Sequence, residues 1–301
     1  MNSAQSASLT YDPNLVIQLQ NDILEEIYKA AKFPRIKAFR TAVKPFFLKS
    51  TRRFSEFIAE IDAFIKDKGF VFAAQQALLR LSDEVISARK ENIPADGPLV
   101  IASNHPGTYD GFVIISQLPR NDIHVVVSGI PFFRNLPNAG KHLIYTAIDT
   151  HVRMNVIRKS IRHLEEGGSL LIFPSGRIDP DPSILPGAEE SLHIWSRSIE
   201  VFMRKVPQAK LVLAITSGVL SGEFINHPFT KLFPDNHERR RIMEFMQMIK
   251  QMVRGKPISL CPRVNFSEKI TYDQIKSGSD QFIFEKASQL LKSHMENFYS
   301  R

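Results

Sequence analysis

The chain has 301 residues, of which 43% are apolar and 23% charged, an ordinary globular composition with enough length for a large core. Its 39 Lys and Arg against 31 Asp and Glu give a formal charge of +8, which suits anionic lipid or a phosphorylated or acidic partner. No zinc-ligand spacing or nucleic-acid motif accompanies that charge, so neither a metal nor nucleic acid is expected.

Residues 1–12 read as a disordered tail, and residues 1–10 lack the apolar centre of a signal peptide. Asp12 and Pro13 then open a helix expected over 13–32, with Leu15, Ile17, Leu19, Ile23, Leu24 and Ile27 as its apolar surface. Further helices are expected over 36–49, with a kink at Pro45, then over 54–66 and 71–90. Together they make an N-terminal helical domain, 13–92, ended by the turn-rich stretch 93–98. Segment 37–53 mixes phenylalanines with Lys37, Arg40, Lys44, Lys49, Arg52 and Arg53. Two readings stand: a membrane-surface element, or an amphipathic helix packed on the rest with its basic face in water.

From residue 98 to 301 the pattern changes to alternating strands and helices. Strands are expected at 98–102, 123–127, 143–148, 170–173, 210–215 and 258–264. Helices are expected at 111–118, 155–166, 187–205, 238–252 and 280–298. The fold class is therefore α/β, a mixed and largely parallel sheet flanked by helices, with the helical domain in front. Trp195 and the methionine stripe of 243–252 read as core, although methionines also suit a flexible acyl chain. The single cysteine, Cys261, excludes an intrachain disulfide and reads as a buried thiol in a reducing compartment. No stretch approaches the roughly 20 apolar residues that span a bilayer, so the expected place is cytoplasmic, free or peripheral on a membrane.

Chemistry concentrates at two strand exits. The first is Asn104, His105, Pro106, Gly107, Thr108, Tyr109 and Asp110, directly after 98–102. Five residues along a helix would put His105 and Asp110 on different faces, so they meet only if Pro106 and Gly107 turn the chain between them. Asp110 would then hold one imidazole nitrogen and leave the other free as a base. The second is Phe173, Pro174, Ser175, Gly176 and Arg177, again a strand running into a turn.

With both on the page, the chain resembles the glycerolipid acyltransferases, which act on glycerol-3-phosphate, lysophosphatidic acid and related lysolipids. Their first block, Asn-His-x4-Asp, is matched by Asn104, His105 and Asp110. Their third, Phe-Pro-Glu-Gly-Thr-Arg, is matched by Phe173, Pro174 and Gly176, while Ser175, Arg177 and Ile178 replace its Glu, Thr and Arg. The resemblance spans about 99–219 and at its widest reaches 266. It implies acyl transfer from an acyl-CoA or acyl-carrier-protein thioester, with no other cofactor, to glycerol-3-phosphate or a lysophospholipid. His105 would be the base and Asp110 its orienting partner. Asn104, Ser175 and Gly176 would belong to the substrate site, with Ser175 and Gly176 amides as oxyanion donors. Arg177 stands closest to the missing phosphate-binding arginine. Arg153 is the nearest match to the second block's, in competition with Arg134, Arg158 and Lys159. Two alternatives stay open: an acyl-thioesterase using water at the same pair, and, because Ser175 replaces the family's Glu, a weakly catalytic lipid- or carrier-binding protein.

Overall fold

The computed structural model describes residues 11–31, 33–146, 149–233, 235–254 and 258–300. Most of the tail expected at 1–12, and the end of the strand expected at 143–148, lie outside these residues.

Three helices come first: α1 (Pro13–Ala30), α2 (Lys37–Lys68) and α3 (Phe70–Leu81). Asp12 caps α1, its carboxylate accepting from the Asn14 amide at 2.8 Å. Two helices expected at 36–49 and 54–66 are one. Pro45 forfeits a backbone hydrogen bond at an exposed position, where water can satisfy the carbonyl left behind. Gly69, at φ +87°, ends α2 and admits α3 at once; a side chain there would also strike Asn121.

The sheet contains seven strands among the described residues: β1 (Ile86–Ala88), β2 (Leu99–Ser103), β3 (Ile123–Ser128), β4 (Leu143–Thr146), β5 (Ser169–Ile172), β6 (Lys210–Ser217) and β7 (Arg263–Phe266). Their spatial order is β1-β7-β6-β2-β5-β3-β4. Only the β6–β7 pairing is antiparallel. Between strands run α4 (Asp110–Ile115), α5 (Pro131–Arg134), α6 (Thr150–Glu165), α7 (Ala188–Leu192), α8 (Ser198–Lys205) and α9 (Asn236–Arg254). Then α10 (Tyr272–Ser277) and α11 (Phe282–Tyr299) close the chain. The mixed, largely parallel α/β sheet with leading helices is as expected.

Local departures have local causes. The helix expected over 71–90 stops at Leu81, because Asp83 and Ile86 donate to the carbonyls of Leu260 and Pro262 and so enter the sheet as β1. The turn at 93–98 therefore separates two strands. The helix expected over 187–205 is α7 and α8, parted where the Ser196 amide reaches Pro174 O at 3.0 Å. The strand expected at 258–264 lies instead at Arg263–Phe266, since Pro262 has no N–H to give a ladder. Cys261 is thus a half-buried free thiol in the preceding loop.

Central strands β2 and β5 are buried throughout, matching their unbroken apolar runs. One sheet face packs on α2, α3, α4 and α9; the other packs on α6, α8 and α11. Core residues of α2 and α3, such as Phe57, Ile61, Ala73 and Leu78, belong to the same cluster as Ile101 and Leu171 of the sheet. Two polar ties set α2 over the carboxyl ends of the strands. Buried Asp62 accepts from the amides of Asn138 and Ala139 at 3.1 and 2.7 Å. Arg53 donates to the terminal α9 carbonyls of Met252 and Val253.

Candidate active site

Parallel pairing of β2 with β5 brings the two motifs together, because both turns leave neighbouring strands at the same end. Each loop residue is then held by the other elements. The Asn104 carboxamide accepts from the Thr216 amide at 2.8 Å and donates to the Thr216 carbonyl at 2.9 Å. It is buried and bound at both ends to β6, so it positions the loop. The His105 amide donates to Asp179 Oδ2 at 2.9 Å, and the Asp179 amide donates back to His105 O at 2.7 Å. Gly107 passes so close to β6's exit that a Cβ would lie 2.8 Å from Val219 Cγ2.

This turn carries Asp110 into the first turn of α4, where its Oδ2 accepts from His105 Nδ1 at 2.8 Å and from the Gly107 amide at 3.3 Å. A carboxylate can only accept, so Nδ1 carries the hydrogen and Nε2 is left for chemistry. Asp110 is 1% exposed and the His105 side chain 29%: the carboxylate is sealed and the imidazole is open. Phe173 backs the imidazole with a ring-centroid separation of 4.5 Å. Burial opposes charge on His105. Asp110, helped by Glu244 and Asp179, outweighs it and raises the imidazole pKa to about 9.

Sequence reasoning missed two carboxyls. Asp179 accepts from Ser175 Oγ at 3.0 Å as well as from the His105 amide, and burial raises its pKa to about 6. A carboxyl thus stands beside Ser175 although the family's Glu is absent. Its signal was the Asp-Pro-Asp-Pro run 179–182, which cannot be helical and so folds back on the site. Asp181 of the same run pins the turn after β6, accepting from the Gly218, Val219 and Leu220 amides. Glu244 comes from α9 with no linear signal. It is 8% exposed, its Oε1 has no partner, and that oxygen lies 3.3 Å from where a Gly107 Cβ would be. Burial, with Asp110 adding to it, pushes the Glu244 carboxyl up to about 8.

His105, Asp110, Glu244, Gly176 and Arg177 all border one cavity of about 920 Å³. Its other walls are largely apolar: Phe54 and Ile58 from α2, Phe132 and Phe133 from α5, Met248 and Met252 from α9. The methionine stripe is therefore both core and cavity wall. Arg153 does not border this cavity; its helix packs on the opposite sheet face, and it has an interaction of its own. Arg134, Arg158 and Lys159 do not border it either, and Arg134 lies over the Tyr145 ring. Trp195 packs half-buried on that opposite face, away from the cavity. The Gly176 amide, expected as an oxyanion donor, is committed to Phe173 O at 3.0 Å, because Gly176 closes the turn at φ +65°.

Residues 84–209 match the family model described as Acyltransferase, a span that holds both motifs and strands β1–β5. That stretch is an acyltransferase-family domain. No curated protein sequence matches this acyltransferase. Among solved structures it is similar to a 1-acyl-sn-glycerophosphate (LPA) acyltransferase, PlsC, from Thermotoga maritima. Identity is 15% and the TM-score 0.43, over 95% of this chain and 98% of that one. Helix α9, which supplies Glu244 and one cavity wall, lies beyond the matched span.

If His105 serves as the base it works only after losing its proton, and kcat/KM should then rise with pH along a limb near 9. Glu244→Gln removes a neighbour that favours the imidazolium, so the limb should move to lower pH, by on the order of one unit. A pH–rate profile between 6 and 10 checks this, and an unmoved limb would separate Glu244 from His105.

Proposed function

We propose that the protein transfers a fatty acyl group from an acyl-CoA or acyl-carrier thioester to a hydroxyl of glycerol-3-phosphate or a lysophospholipid. The observation that carries this reading is the sealed Asp110 holding His105 at 2.8 Å, with the imidazole bordering an apolar cavity large enough for an acyl chain. His105 Nε2 takes the acceptor hydroxyl's proton as that oxygen attacks the thioester carbonyl carbon. The tetrahedral intermediate then collapses, the C–S bond breaks, and the imidazolium returns the proton to the departing thiolate. With Gly176 engaged, the Ser175 amide is the remaining backbone candidate for the oxyanion. Donor consumption with and without a lysolipid acceptor tests the reading. Acceptor-dependent thiol release with ester formation supports it. Thiol release indifferent to acceptor makes the protein a thioesterase, and donor binding without turnover makes it a binding protein.

Peripheral attachment to a lipid surface belongs to the same reading. The first half of α2 leaves Phe46 83% exposed, with Ile36 open just before the helix, Phe39 and Leu48 partly exposed, and Lys37, Lys44 and Lys49 beside them. Arg52 and Arg53 are already engaged with Glu56 and with α9. The second half of the same helix walls the cavity, so lipid docked at one end would lead to the other. Phe46→Glu should weaken cosedimentation with anionic vesicles several-fold while leaving turnover of a water-soluble acceptor intact. Equal cosedimentation would argue against this face.

A further inference from the structure

We propose that a second binding site, for a small dianion of the phosphate or sulfate type, lies at the amino ends of β3 and β4, at the opposite end of the sheet from His105. A cavity of about 310 Å³ opens there, bordered by Lys141, Lys159, Arg162 and Glu166 and by the imidazoles of His124 and His163. The catalytic turns leave the carboxyl ends of β2 and β5, whereas His124 is the second residue of β3, which runs parallel to β5. Leu143 alone borders both this cavity and the catalytic one, so the two are distinct.

The charges around this cavity are unbalanced. Arg162, His163 and Glu166 follow Lys159 at helical spacing and share one face at the end of α6. With Lys141, three cations meet one carboxylate, and no ion pair among the described residues engages any of the four. Lys141 Nζ reaches the neutral Asn138 carboxamide at 3.5 Å. Asp122, just before β3, cannot make up the difference, because Arg120 holds both its oxygens and Ser169 Oγ donates to it as well. The imidazoles are fixed by the fold. His163 Nε2 donates to the carbonyls of Asp122 and Ser169 at 2.9 and 3.0 Å, and Gly168 lies so close to the ring that a side chain there would strike it. His124 stacks on His163 with 3.6 Å between ring centroids. The His142 ring, held by its Nδ1 on Ile123 O, is 6.0 Å from His124. Burial, with His163 and His142 as neighbours, lowers the His124 pKa to about 4, and burial lowers that of His142 too. A dianion in the cavity acts the other way: it favours the imidazolium and relieves the repulsion among Lys141, Lys159 and Arg162.

Sulfate titration of the full chain, followed by the imidazole NMR signals, tests the site where it stands. Sulfate is the probe because it stays dianionic between about pH 5 and 8, and His124→Gln and His163→Gln assign the two signals. In wild type both signals should shift saturably, beyond the effect of chloride at equal ionic strength. Affinity should rise several-fold from about pH 8 to pH 5, as the anion draws protons onto the imidazoles. Lys159→Gln combined with Arg162→Gln should weaken binding roughly 10–100-fold, the usual result of losing charged hydrogen bonds. Arg158→Gln removes an exposed cation of the same helix that does not border the cavity, and should bind as wild type. Circular dichroism checks that each variant is folded. Inorganic phosphate and phosphatidic acid vesicles then name the source: shifts with phosphate alone mean a free solute, and shifts with vesicles mean a lipid headgroup. No saturable shift in wild type, or unchanged affinity in the double variant, overturns the site whether or not the protein transfers acyl groups. Affinity that does not rise on acidification removes the imidazoles from it.

Discussion

His105→Ala should lower kcat by about 10²–10⁴, the usual loss when a positioned general base is removed. His105 is the imidazole that borders the cavity in contact with the Asp110 carboxylate, and no neighbour can take its proton-transfer role at the same place. Asp110 and Glu244 are nine-tenths buried or more, and Asp179 reaches the loop through the His105 backbone amide. That backbone pairing with Asp179 does not depend on the side chain, so the loop should persist. The cost falls on Asp110, which would keep only the Gly107 amide as a partner, and an underbonded buried carboxyl destabilises by about 1–3 kcal/mol. His105→Gln can still donate to Asp110 and separates the two effects: it should recover thermal stability but not turnover. Wild-type acyl transfer in either folded variant would remove His105 from the mechanism.

Asp110→Asn should be nearly as damaging to rate, with a loss of about 10²–10⁴, and should leave donor binding in place. An amide can offer Nδ1 either an oxygen or an N–H, so the imidazole is no longer held in the tautomer that leaves Nε2 basic. The carboxylate that most raises the His105 pKa also disappears. Burial then dominates, and the limb near 9 should fall by more than in Glu244→Gln. A drop in kcat with an unmoved limb would mean that Asp110 only orients the ring. Full activity would reduce it to a helix-start residue.

How much of this was legible in the chain differs from element to element. Apolar runs within 98–102 and 170–173 named the central strands, because a strand buried on both faces needs no alternation. Asp12 with Pro13 marked the start of α1 for a reason internal to four residues. The His105–Asp110 pair was readable because Pro106 and Gly107 turn the chain locally. Helix and strand ends were less legible where a distant backbone group decided them. Leu260 and Pro262 converted 86–88 into a strand, Pro174 split α7 from α8, and the Pro45 breach was absorbed by the long α2.

Local spacing and chain chemistry thus determined the fold class, the two strand-exit turns, and the pairing of His105 with Asp110, since each depends on residues a few positions apart. Tertiary structure alone decided which charges share the cavity. It kept Arg153 on the far face of the sheet, spent Asn104 on Thr216 and Gly176 on Phe173, and brought Asp179 to Ser175. It also folded α9 across the site, so that Glu244 and Arg241 reach the cavity of His105. Burial and Coulomb interaction act through space over a few ångströms, and no distance along the sequence records them.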